Sequence, residues 1–356
     1  MFDSSSLYQK DVELISNAEL PWEKLNDKSV LIVGASGLIG TFLIDVFMLK
    51  NQKSKLNLKI YAAGRNKEIA VERFSKYRDC ELFNFLELDI NQPLNLDIAF
   101  DYILHAASNT HPNAYASDPV GSIMTNLLGT HHLLEHAKRT NLKRFIFLST
   151  VEIYGQAYKP EDTFDEQYCG YIDCNTVRAG YPEGKRAGES LCNAYREKYQ
   201  IDMVIPRLSR VYGPTMRLDD SKAMSQFILK GVHNENIILK SEGKQLFSYC
   251  YIADAVMGIL YVWLKGKSGE AYNIADIDAP MSLREIAECI AKLVGQQVVF
   301  DLPDANEQKG FSKVMVGIMD SKKIQALGWK PYDDLKSGIT KTIQILKASV
   351  APMECK

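Results

Sequence analysis

The 356-residue chain has no excess of charge of either sign: 42 lysines and arginines stand against 44 aspartates and glutamates, for a formal net charge of -2. That balance gives no general reason to expect nucleic acid or an anionic membrane as a partner, and leaves room for a local basic pocket. Cysteine is sparse and unpatterned. Seven residues, at 80, 169, 174, 192, 250, 289 and 355, form no Cys-x-x-Cys pair, which argues against a disulfide framework or a zinc ribbon and for reduced thiols in a cytosol. Long apolar runs are missing too: the one near Ala255 to Leu264 is too short to span a bilayer. The first residues carry acids where a signal peptide needs bases. Together these absences predict a cytoplasmic protein with no membrane anchor. No internal repeat or low-complexity tract is visible.

What is present is a regular alternation. Residues 1–28 are polar with weak helical periodicity and read as an added arm. Strand patterns over 29–33, 59–63, 82–88, 102–105, 144–149 and 202–206 then alternate with helical patterns from about 38, over 67–77, 119–139 and 181–199. Such spacing predicts βαβ units. The expected fold is α/β, a Rossmann-type doubly wound parallel sheet over 29–214, followed by a smaller α/β substrate lobe over 215–345 with some exchange of chain between the two.

Gly34-Ala35-Ser36-Gly37-Leu38-Ile39-Gly40 follows an apolar strand and opens a helix. Glycines in that context permit a tight turn and let backbone N–H groups approach a pyrophosphate at the helix N-terminus. The spacing is GxxGxxG, not GxGxxG, and it lacks the GxSxG of a hydrolase elbow. The second strand ends Gly64-Arg65, without the acid that would bind a ribose 2′-hydroxyl. Arg65 instead suits a 2′-phosphate, which leans the cofactor from NAD towards NADP.

Tyr181-Pro-Glu-Gly-Lys185 sets a phenol and an ammonium four residues apart, on one face of a helix. Positive neighbours favour the phenolate, so Tyr181 is the candidate base for a hydroxyl proton while hydride leaves the same carbon. Ser149-Thr150-Val151-Glu152 ends a strand, where ligands bind in open α/β sheets. Thr150 is placed to hold the substrate hydroxyl and Glu152 to act as a second acid or base.

These residues resemble the extended short-chain dehydrogenase/reductases that modify nucleotide sugars. The resemblance runs in order over about 29–340: Gly34/Gly37/Gly40; Leu88-Asp89-Ile90, at the adenine in that family; His105-Ala106-Ala107; Asn126-x-x-Gly129-Thr130; Ser149-Thr150; Tyr181/Lys185; Pro206-Arg207-Leu208-Ser209; Tyr212-Gly213-Pro214; Tyr249 to Asp254; Tyr272-Asn273-Ile274. It implies that Ser36, Asp89, Ile90, His105, Ala106, Ala107, Pro206 and Ser209 serve the dinucleotide. Ser108, Thr150, Arg178, Arg210 and Tyr249 fall on the substrate side. It also implies a nucleotide-diphosphate sugar as substrate and a homodimer.

Within the family, Cys169-Gly170-Tyr171 followed by the stretch from Val177 to Arg186 is most similar to UDP-glucuronate decarboxylases, and the Thr150-x-Glu152 pair is similar to theirs and to that of dTDP-glucose 4,6-dehydratases. Two departures matter. Val151 stands where dehydratases carry an aspartic acid, which disfavours 4,6-dehydration. Phe247, in Gln245-Leu-Phe247-Ser-Tyr249, stands where relatives carry an arginine for the substrate phosphate. Arg210, where relatives usually have asparagine, is the candidate substitute cation. The expected reaction is oxidation of a sugar hydroxyl at C4, then decarboxylation or epimerisation. A reductase of a nucleotide-linked keto-sugar or ketose is the alternative if the cofactor is NADPH, and a non-catalytic dinucleotide-binding module is the remote one. His132-Leu-Leu-Glu135-His136 matches a zinc motif, but it falls on a βαβ helix without a third ligand, so no metal is expected. The basic cluster Lys138 to Arg144 lacks interleaved aromatics and reads as a solvated helix end.

Overall fold

A computed structural model describes residues 2–108, 110, 115, 117–277, 280–301 and 314–350; Cys355 lies outside them. The centre is a parallel sheet in the order β12-β7-β5-β4-β1-β2-β3, with β6 also paired to β7. Its strands are β1 (Ser29–Val33), β2 (Lys59–Gly64), β3 (Phe83–Glu87), β4 (Tyr102–His105), β5 (Arg144–Phe147), β6 (Ser149–Thr150), β7 (Met203–Leu208) and β12 (Ala271–Ile274). Val30 to Val33 of β1 and all of β4 are buried, as strands covered by helices on both faces must be. β1 pairs with β2 on one side and β4 on the other. The order therefore reverses between β1 and β4, and their carboxyl ends open the crevice where such sheets bind ligands.

Helices α2 (Leu38–Ser54), α3 (Lys67–Arg73), α4 (Pro119–Thr140) and α5 (Gly180–Tyr199) link these strands. Sequence signals fix several ends. The Asp118 carboxylate accepts from the Gly121 amide at 2.8 Å, Pro119 opens α4, and Asn141 closes it in the left-handed region. The helix expected over 67–77 stops at Arg73 and gives way to a single 3-10 turn. The strand expected over 144–149 is split at Leu148. Its carbonyl is thereby free for a side chain, and the Lys185 ammonium takes it at 2.8 Å.

Residues 2–28, expected as an arm, belong to the helical layer of the sheet. Helix α1 (Ser6–Ser16) buries Tyr8, Val12 and Ile15, and the Tyr8 hydroxyl donates to the Asp45 carboxylate of α2 at 2.6 Å. Alternating apolar and polar positions over so short a helix give a weak periodic signal; burial in three dimensions is what marks it as core.

The second lobe carries β8 (Arg210–Tyr212) paired with β11 (Tyr249–Tyr251), β9 (Ile237–Leu239) paired with β14 (Val298–Phe300), and a sheet of β10 (Leu246–Phe247), β13 (Met281–Ser282) and β15 (Val316–Gly317). Helices α6 (Ala223–Val232), α8 (Leu283–Val294) and α9 (Leu335–Val350) cover them, while α7 (Ile252–Lys265) packs on α2. With β12 pairing β7, chain from beyond residue 214 returns to the main sheet. The half-buried Arg73 side chain donates to Ser36 O at 3.3 Å and to Thr215 O at 3.0 Å, tying the glycine loop to the start of the lobe.

Candidate active site

A cleft of about 1020 Å³ lies between the carboxyl ends of the sheet and the second lobe. Gly34, Ser36, Gly37, Leu38, Ile39 and Gly40 line its floor. Gly34 sits at φ +87°, and a Cβ there would come within 2.8 Å of Ala107 N. One at Gly40 would come within 2.6 Å of two backbone carbonyl oxygens. Only glycine fits either position. No side chain caps α2 at Gly37, so its first-turn amides face the cleft as an anion seat. This cradle fits a dinucleotide pyrophosphate. Arg65 and Asp89, both exposed, and the buried Ile90 lie at the rim; Ala106, Ala107, Ser108 and Ser209 continue the wall. The Ser209 hydroxyl is buried and has no partner among the described residues.

The chemical groups converge at the far end. Thr150 ends β6 and lines the cleft with Tyr181, which is 6% exposed. Burial pushes that phenol up to about 12, and the Glu152 carboxylate adds to the rise; the Thr150 hydroxyl and the Arg178 and Arg210 cations pull the other way. Lys185, one helical turn on, is buried against the Phe147 ring. Burial draws its ammonium down to about 8, while Glu189 opposes the fall, so it carries its charge at neutral pH.

Glu152 stands in the 3-10 turn after β6, with its amide capped by the Thr150 hydroxyl. Its carboxylate accepts from Arg178 at 2.6 Å and lies 4.0 Å from Arg210. Arg178 in turn lies over the Tyr115 ring at 4.4 Å, and Tyr115 stacks on Tyr181 with centroids 5.2 Å apart. Arg210 lies over the Phe247 ring at 3.6 Å. Pairing of β8 with β11 sets Arg210 opposite Tyr249, whose buried hydroxyl has no partner among the described residues.

Most candidate residues from the sequence thus line one cleft. Three lie behind its wall. Lys185 reaches the site through Leu148 and the helix it shares with Tyr181. His105 is fully buried at the end of β4, its ring edge-on to Phe147 and its nitrogens without partners among the described residues. Pro206 is buried inside β7, opposite Tyr272. The last two face core, because alternation along a strand sends them away from the ligand side. In the His132/His136 pair, His132 Nδ1 donates to Ile90 O at 2.8 Å and His136 Nε2 to Ile98 O at 3.0 Å. Both rings therefore anchor the segment after β3 to α4. No group of histidine, cysteine or acidic residues among the described residues is placed to hold a metal ion.

Sequence reading passed over Tyr115 and the second-lobe wall, where Arg217, Lys222, Lys230 and Lys240 reach the cleft. A lone tyrosine and scattered basic residues carry no local pattern; only the fold brings them to one cleft.

A doubly wound parallel sheet, a glycine cradle at the first helix and a Thr–Tyr–Lys set at the crevice are the parts of a dinucleotide-dependent enzyme. The sequence profile of the NAD dependent epimerase/dehydratase family matches residues 30–275, and the chain belongs to that family. It is 30% identical over 87% of its length to UDP-glucuronic acid decarboxylase 6 of Arabidopsis thaliana, covering 86% of that protein. To UDP-glucuronic acid decarboxylase 1 of Xenopus tropicalis it is 29% identical, over 90% of this chain and 72% of that one. The fold is shared with a UDP-glucuronic acid 4-epimerase from Bacillus cereus solved with UDP-glucuronic acid and NAD: TM-score 0.76, 23% identity, 90% of this chain and 99% of that one. A dTDP-glucose 4,6-dehydratase from Streptomyces venezuelae gives 0.77 at 20% identity, over 91% and 98%. The protein is an NAD(P)-dependent enzyme of the nucleotide-sugar epimerase, dehydratase and decarboxylase type. No helix among the described residues is long and apolar enough to cross a membrane.

Proposed function

We propose that the enzyme oxidises C4 of the sugar in a nucleotide-diphosphate sugar and that decarboxylation, with epimerisation as the nearest variant, follows. The observation that carries this reading is the convergence of Thr150 and Tyr181 on one end of the cleft, with the Lys185 ammonium held behind it on Leu148 O. Thr150 holds the hydroxyl. Tyr181 takes its proton, and the Arg178 and Arg210 cations favour the phenolate against the rise that burial causes. When bound, the oxidised nicotinamide supplies a further positive charge and accepts the hydride from the same carbon. In a uronic acid the new C4 ketone is β to the carboxylate. Breaking the C5–C6 bond sends its electron pair into the C4–C5 enolate and releases carbon dioxide; protonation at C5 and return of hydride to C4 complete the cycle.

Two side chains bear on the variants. Val151 offers no proton to a leaving hydroxyl, and Glu152 is held by Arg178, which together speak against 4,6-dehydration. Arg65, exposed at the adenine rim, supports NADP(H) and with it the second reading, a reductase of a nucleotide-linked keto-sugar or ketose. A homodimer fits the apolar Val120, Ile123 and Met124 exposed on α4; sedimentation as a monomer would remove that part. The direct experiment is mass spectrometry of UDP-glucuronate incubated with the enzyme and either NAD⁺ or NADP⁺. Loss of carbon dioxide is expected. Substrate unchanged with both cofactors would sink the decarboxylase reading and turn the search to epimerase and reductase substrates.

A further inference from the structure

The catalytic end of the cleft brings two guanidiniums, those of Arg178 and Arg210, to a single shared carboxylate, Glu152. Arg178 Nε and Nη1, Arg210 Nε and the Tyr249 hydroxyl are buried without a hydrogen-bond partner among the described residues, although all three side chains line the cleft. Buried donors left so are costly. An anion from the ligand would satisfy them.

The fold fixes where that anion sits. Phe247 is 3% exposed and held from below by Gly317, where even a Cβ would meet its ring at 2.8 Å. The Arg210 guanidinium carbon lies 3.6 Å from the centroid of this ring, so the ring holds in place a planar group whose paired N–H donors suit a carboxylate. Both arginines are near enough to the Tyr181 phenol to pull its pKa down. The anion therefore lies beside the carbon being oxidised. A diphosphate is attached at C1, across the sugar ring from C4. A carboxylate on C5 is adjacent to it.

We propose that Arg210, with Phe247 as its platform and Tyr249 as a second donor, receives a carboxylate on the carbon next to the oxidised one, so that the substrate is a nucleotide-linked uronic acid. Glu152 then holds the two arginines in place and is not a proton carrier. The inference rests on the nucleotide-sugar reading above and gives the loss of arginine at position 247 a local answer: the cation stands on the neighbouring strand, turned to the sugar.

Calorimetric titration of the dinucleotide-loaded enzyme with UDP, UDP-glucose and UDP-glucuronate tests it. The wild type is expected to bind the acid about 10- to 100-fold tighter than the neutral sugar, the size of a charge-assisted pair of hydrogen bonds. Arg210→Gln should abolish that preference and leave UDP affinity and the melting temperature in place. Phe247→Leu, which keeps the charge and removes the platform, should lower the preference without erasing it. An Arg210→Gln enzyme that loses UDP, UDP-glucose and UDP-glucuronate alike would overturn the proposal and assign Arg210 to the diphosphate, as would a preference for the acid that survives the substitution. If neither UDP nor the corresponding dTDP compounds bind, the nucleotide-sugar reading itself fails and takes the proposal with it.

Discussion

The two walls of the cleft are made of different material. On the sheet side, recognition is built from backbone: a glycine loop with no room for a Cβ and the open amides of α2. On the far side it is built from long side chains, Arg178 and Arg210, steadied by rings and by Glu152. Backbone recognition is bound to particular residues, because φ and the missing Cβ admit few alternatives. Side-chain recognition is portable. A guanidinium can reach one point in space from either of two adjacent strands, so a charge lost at 247 can be carried at 210.

Substitutions can break this contrast or sharpen it. The largest effect is expected where the walls meet. Tyr181→Phe should lower kcat by about 10²- to 10⁴-fold, the usual contribution of a positioned acid–base group, with dinucleotide binding kept. Measured against pH, the wild-type oxidation rate should rise through the neutral and alkaline range as the phenolate forms, since burial sets that group high, whereas the residual rate of Tyr181→Phe should lack this limb. A variant that keeps the limb would mean another group is the base. Next comes the backbone wall. Gly34→Ala puts a methyl within 2.8 Å of Ala107 N at a φ of +87°, and neither backbone can yield. A loss of about 1–3 kcal/mol in urea unfolding, together with weaker dinucleotide binding, is expected; a variant unchanged in both would show that the loop tolerates side chains after all. Smallest is the rim. Arg65→Ala should raise the KM for NADP⁺ about tenfold and leave that for NAD⁺ unchanged. An equal rise for both would place Arg65 on a part the two cofactors share.

The same contrast explains what the sequence makes legible. β1, the glycine loop, Tyr181/Lys185 and Thr150 are local patterns, and each stands in the structure at its expected place in the fold. Phe247 and Arg210 are visible only as departures from a resemblance; nothing in their neighbourhood says that one ring lies beneath the other cation. His105 and Pro206 belong to motifs whose other members face the cleft, yet period-2 alternation turns both into the core. Tyr115 leaves no trace in sequence, because its importance comes from a stack on a residue far along the chain. The helix Ser6–Ser16 is hidden for the same reason, its apolar positions acquiring meaning only against α2 and α7.

That helix has a consequence for how the molecule is made. Asp11 accepts from the Tyr251 hydroxyl at 2.6 Å and from the Lys341 ammonium at 2.9 Å, partners 240 and 330 residues downstream. Closure over such spans comes late and at an entropic cost. On the ribosome, α1 is made long before its partners: until α9 has been synthesised, the buried carboxylate lacks its countercharge, and the earlier helix cannot settle into its final seat. A segment made early is thus among the last to lock, because its buried charge is completed only by Tyr251 and Lys341.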